Sequence, residues 1–219
     1  MATLRTGSFG TYYGSTWGNS EPLTTQEMSF NAKYIYSYLH NAGWSDNAIA
    51  GLLGNLQAES TMNPGRWQSE AVGNVSMGYG LVQWTPSTKY TEWCSNQGLS
   101  DPSEMDSNLK RILYELENNI QWIATSSYNF SFKEFSTSTK TVSELAKSFL
   151  LNYERPADQS ESVQSYRAEL AGSWYKVITG LEPTPETPVT PGTSGSKQKQ
   201  KYNFLLFQAN RRRKLWIRK

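Results

Sequence analysis

Glu59 stands three residues after Leu56 and seven after Leu52, so on a helix it continues the apolar stripe of Ile49, Leu52, Leu53 and Leu56. A glutamate normally takes the wet side of a helix. Here it falls just before Asn63-Pro64-Gly65, which stops the helix. Partial burial and the negative end of the helix dipole both disfavour an ionised carboxylate at such a position. A carboxyl that keeps its proton near neutral pH is what general acid catalysis requires. The competing reading is a solvated glutamate at a frayed helix end. Glu70 is the only acidic residue between Glu59 and Glu92, and it is the candidate for a second carboxylate.

Composition removes other chemistries. The chain has 219 residues with one cysteine, Cys94, and one histidine, His40. An intrachain disulfide and a cysteine-based zinc site are excluded, a histidine-based metal site or Ser-His triad has little to work with, and no metal or cofactor is expected. No apolar run approaches the roughly 20 residues of a membrane span. Met1 to Ser20 lacks a signal pattern, so delivery in a particle or by lysis is the expected route. Eight Trp and 13 Tyr suit an aromatic-lined cleft. Of 21 basic residues, nine follow Ser196 with no acidic residue among them, so residues 1–196 carry 12 basic against 19 acidic groups, a net −7. That acidic body would repel phosphate, which argues against a nucleic-acid partner.

The elements that must position Glu59 follow in order. Residues 1–23, rich in Gly, Ser, Thr and aromatics, read as a flexible arm. Thr24 and Glu27 form a capping box ahead of a helix carrying Met28, Ala32, Ile35 and Leu39, and Ser45 caps the helix that carries Glu59. The stretch from Gly65 to Trp84 loses helical period and gains Gly73, Gly78 and Gly80, as a loop or short hairpin would. A short helix capped by Ser87 follows. The next, from Asp106, carries Leu109, Ile112, Leu113, Leu116, Ile120 and Ile123. Thr141 and Glu144 open a helix with Leu145, Phe149 and Tyr153, which Arg155-Pro156 ends. A last helix has Val163, Tyr166 and Leu170 and leads to Trp174. The body, 24–180, is mainly α with one irregular insert. Residues 181–196 form a Pro/Thr/Gly/Ser linker, and 197–219 a basic docking segment.

Three strings carry the polar residues: Gln57-Ala58-Glu59-Ser60 with Asn63-Pro64, then Gly78-Tyr79-Gly80-Leu81-Val82-Gln83-Trp84, then Asn152-Tyr153-Glu154-Arg155-Pro156. In this order and spacing the stretch from about Gln26 to Gly180 resembles the phage tail-associated lysozymes of small podoviruses, within the goose-type lysozyme and lytic transglycosylase superfamily. The resemblance implies a bilobal helical fold whose cleft, lined by a short β-hairpin or loop insert, binds peptidoglycan glycan strands. It implies Glu59 as the acid that protonates the bond between N-acetylmuramic acid and N-acetylglucosamine. Ser60, Tyr79, Gln83, Trp84 and Tyr153 are then the expected substrate-binding residues, with Trp67 a further aromatic that could stack on a sugar. Glu154 and Arg155 are read as a local ion pair. Virion localisation follows, with other tail proteins as partners through the arm and the basic segment. The alternative is a catalytically inactive glycan-binding or structural tail protein.

Overall fold

The structure, a computed structural model, describes residues 1–183; most of the linker, from 184, and the whole basic segment, 197–219, lie outside the described residues. Its helices are α1 Thr25–Asn41, α2 Asp46–Ser60, α3 Thr88–Asn96, α4 Met105–Glu117, α5 Phe132–Ser136, α6 Val142–Phe149 and α7 Glu161–Thr179. A single π-helical turn, Leu150–Glu154, continues α6.

Helix α2 is the core. Ala48 through Leu56 are all buried, so it is enclosed on every side rather than along one stripe. It packs against α7, α6 and α1. Two glycines allow that approach. A Cβ at Gly54 would stand 2.6 Å from the Arg167 carbonyl oxygen and 2.7 Å from the Ala171 nitrogen, and one at Gly51 would stand 3.0 Å from the backbone of α6. Side-chain caps set the helix starts. Thr24 and Glu27, and Thr141 and Glu144, close full capping boxes, and the Ser45 side chain accepts from Ala48 N.

The first 23 residues differ from the expected flexible arm. Strands β1 Thr3–Gly7 and β2 Gly10–Gly14 pair antiparallel, with Gly7 opposite Gly10 and Thr3 opposite Gly14. Asn31 of α1 exchanges two 2.7 Å hydrogen bonds with the Tyr13 backbone, and Arg5 meets Asp101 at 2.6 Å. Asn63 fastens the following segment, accepting from Ser15 N and donating to the Glu21 carbonyl. The hairpin therefore holds through partners about 20 to 100 residues away, which its own composition does not reveal.

Two further differences are local. Helix α4 stops at Glu117, and Ile120 and Ile123, in phase with its stripe, are exposed because Asn119 and Gln121 take positive φ. Helix α5 was not anticipated, although Ser131 and Glu134 form a capping box.

Candidate active site

The C-terminal turn of α2, the insert 66–85 and the π turn surround a pocket of about 260 Å³. Glu59, Arg66, Gln83 and Glu154 line it. A second pocket of about 270 Å³ shares Val82, Gln83, Thr85 and Glu154 with the first and adds Trp84, Lys89, Gln121, Tyr153 and Arg155. Together they make a polar groove running past Gln83 and Glu154. The backbone is unusual along it: Ser69, Gln83 and Arg155 sit at φ of 50°, 53° and 49°, a region costly for residues with a side chain. Such strain, held by surrounding structure, clusters at functional sites.

Glu59 is at the groove, with its side chain 21% exposed. Its Oε1 accepts from Arg167 Nη2 at 2.6 Å, while Arg167 Nη1 donates to the Asn55 carbonyl at 2.8 Å. Arg167 thus ties α7 to α2 and aims the carboxylate. Sequence reading missed it, although it lies four residues after Val163 and so interrupts an apolar stripe with a cation.

The remaining expected residues divide into groove and frame. Gln83 lines both pockets, and its Nε2 donates to the carbonyls of Arg66 (3.1 Å) and Gly80 (2.8 Å). Ser60 Oγ is buried and donates back to the Leu56 carbonyl at 3.1 Å, so it serves the helix end. Trp67 and Tyr79 are fully buried and pack on each other with ring centroids 4.6 Å apart. Trp84 stacks on Tyr90 at 4.3 Å. Tyr153 stacks on Phe149 at 4.5 Å and is 1% exposed. Tyr79, Trp84 and Tyr153 thus pack their rings in the core, while Trp84 and Tyr153 also border the second pocket.

What Trp84 and Tyr153 do is hold the groove together. Trp84 Nε1 donates to Glu115 Oε1 at 2.9 Å, and the Tyr153 hydroxyl donates to Glu115 Oε2. Arg111 Nε adds a 2.8 Å ion pair to Glu115 Oε1. One buried carboxylate of α4 thus joins the insert to the π turn. Burial pushes the Glu115 carboxyl above its ordinary range, and the Tyr153, Arg111 and Trp84 donors oppose this.

The carboxylates also fall differently from expectation. Glu70 points outward, 70% exposed, with Arg66 Nη2 at 3.8 Å. Glu154 instead lies on both pocket walls. Arg155 Nη1 donates instead to the carbonyls of Gln121 and Asn152 at 2.5 and 2.6 Å. Glu154 Oε1 is shut off from solvent without a hydrogen-bond partner. Burial first, and the Glu59 charge next, push the Glu154 carboxyl well above the usual carboxylate range. This is the residue that sequence reading assigned to an ion pair, as its adjacency to Arg155 suggested; its Oε1 has no hydrogen-bond partner.

A family model described as phage tail lysozyme matches residues 30–178. The chain is similar to morphogenesis protein 1 of Bacillus phage B103, 52% identical over 158 residues, or 72% of this chain. The matched stretch is 42% of that relative, so the chain spans well under half its length.

Proposed function

The chain belongs to the phage tail lysozyme family, and on that premise we propose that it is a virion-carried glycosidase cleaving the β-1,4 bond between N-acetylmuramic acid and N-acetylglucosamine in the wall of a Gram-positive host. The observation that carries the reading is Glu59, a carboxylate fixed by Arg167 in a polar groove that Gln83 also lines. A glycan strand lying in this groove presents its glycosidic oxygen to Glu59. Protonation lets the C1–O bond break with its electrons leaving on the oxygen, and an oxocarbenium-like sugar remains. Water captures it in a hydrolase; the sugar's own 6-hydroxyl captures it in a lytic transglycosylase. Gln83, with its amide nitrogen anchored, presents the rest of its side chain to the groove as a polar contact for a sugar amide. The similarity to a phage morphogenesis protein supports a place in the particle, and the basic segment 197–219 is its proposed docking element.

The test is Glu59→Gln, which keeps shape and loses the proton. Clearing of purified walls falls by about 10²–10⁴-fold, the usual worth of a general acid, with unchanged circular dichroism. A folded variant that clears walls at more than about a tenth of the wild-type rate sinks the assignment. Mass spectrometry of released fragments separates the two capture steps: 1,6-anhydromuramyl ends mean transglycosylation, reducing ends hydrolysis.

A further inference from the structure

The two pockets of the groove differ in charge. Glu59 lines only the first, and the cation there, Arg66, donates to the Ser20 carbonyl and stands 3.8 Å from the Glu70 carboxylate. Lys89 and Arg155 line only the second, and neither is ion-paired with a described residue. Arg155 is held in place by its Nη1, which donates to the carbonyls of Gln121 and Asn152. Its Nε and Nη2 make no hydrogen bond to a described residue. Lys89 sits in the first turn of α3, the positive end of the helix dipole, where a cation is disfavoured and no acidic residue offsets it. The carboxyl on this pocket's wall, Glu154, has its Oε1 shut off from solvent, and burial weighs against its charge. Two unpaired cations on one pocket of a body of net −7 make that pocket a place for an anion.

The proposed substrate carries its anions on one kind of sugar only. Along the alternating strand the two sugars share a ring, and muramic acid differs by a lactyl ether on C3. That branch bears a carboxyl group or the peptide stem built on it. An enzyme that cuts one of the two alternating bonds has to read the branch. We propose that the second pocket is the subsite for this branch, where Lys89, beside Arg155, binds a carboxylate on it. The inference rests on the reading of the groove as a glycan site. A strand whose scissile oxygen lies at Glu59 runs past Gln83 and Glu154, which both pockets share, and brings the branch of a nearby muramoyl unit to Lys89 and Arg155. The guanidinium of Arg155, fixed through Nη1, offers Nε and Nη2 as a planar fork for a carboxylate. Lys89 adds a point charge at the same pocket, and a bound anion relieves the conflict between that charge and the helix dipole.

The experiment measures kcat and KM of the full chain and its Lys89→Gln variant on soluble muramoyl oligomers with free carboxylates, and on the same oligomers converted to carboxamides. Lys89 is exposed, so the variant keeps the fold, whereas Arg155 is left intact because its Nη1 also anchors the turn. On the carboxylate oligomers Lys89→Gln raises KM about three- to tenfold and leaves kcat within about twofold, while Lys89→Arg keeps KM near wild type. On the carboxamides wild type and Lys89→Gln share one KM, because a neutral branch offers Lys89 no charge. An unchanged KM on the carboxylate oligomers, or an equal rise on both substrates, overturns the proposal. Oligomers stripped of peptide separate the two sources of the anion. A Lys89 effect that survives stripping assigns the lactyl carboxylate, and one that is lost with the peptide assigns the stem. A wild-type chain that cuts none of these oligomers defeats the glycosidase reading instead. A wild-type chain that cuts them, beside a Lys89→Gln variant with unmoved KM, defeats only this inference.

Discussion

At the scale of single residues, the proposed function divides the groove into side chains offered to substrate and side chains that hold those in place. Tyr153 belongs to the second group, because its ring is in the core and its hydroxyl serves Glu115 Oε2. Tyr153→Phe removes that donor and leaves a buried carboxylate oxygen short of one partner, which costs about 1–3 kcal/mol. Urea unfolding should show this loss, while KM for soluble oligomers stays at its wild-type value. A raised KM with unchanged stability would return Tyr153 to the substrate-binding set. The same logic explains why Trp84 follows Gln83 directly. The glutamine faces the groove, and the tryptophan beside it pins the strained turn to α4 through a 2.9 Å bond.

At the scale of elements, the Glu59–Arg167 pair depends on how closely α7 approaches α2. Gly54 sets that distance, since a methyl group there would stand 2.6 Å from the Arg167 carbonyl oxygen. Backbone cannot swing aside as a flexible side chain does, so α7 has to move out. Gly54→Ala is expected to destabilise the fold by about 1–3 kcal/mol, as overpacking does, and to lower kcat/KM by drawing Arg167 off Glu59. Gly172, on α7 itself, is the control. A Cβ there meets only Pro183 Cγ at 3.9 Å, so Gly172→Ala leaves activity intact and gains helix propensity. Equal effects at both positions in unfolding and kinetic assays would dismiss the close-approach argument.

At the scale of the whole molecule, every residue of the groove lies between Glu59 and Arg167, inside the stretch that the family model matches. The basic segment contributes nine positive charges and no negative ones to a body of net −7. Deleting residues 184–219 is expected to leave cleavage of soluble oligomers unchanged. The same deletion weakens binding to intact walls or incorporation into particles, and the wall contribution declines with added salt. Loss of activity on the soluble oligomers would instead place the tail on the catalytic body.

Local interactions are what the sequence by itself determined. Capping boxes at Thr24 and Thr141, the apolar run of α2, the stop after Ser60 and the position of Glu59 at that stop all depend on contacts within a few residues, and all were legible. The capping box at Ser131 was equally local and was overlooked. Tertiary structure alone decided the rest, because it concerns which polar groups meet across long stretches of chain. Arg167 reaches Glu59 over 108 residues, Arg5 reaches Asp101 over 96, and Tyr153 reaches Glu115 over 38. Each of these residues reads in the sequence as an isolated charge or an ordinary aromatic. Glu154 shows the physical reason most plainly: beside Arg155 in the chain it reads as half of an ion pair. Only the tertiary fold shuts its Oε1 off from solvent without a hydrogen-bond partner and places it in the pocket that Glu59 lines.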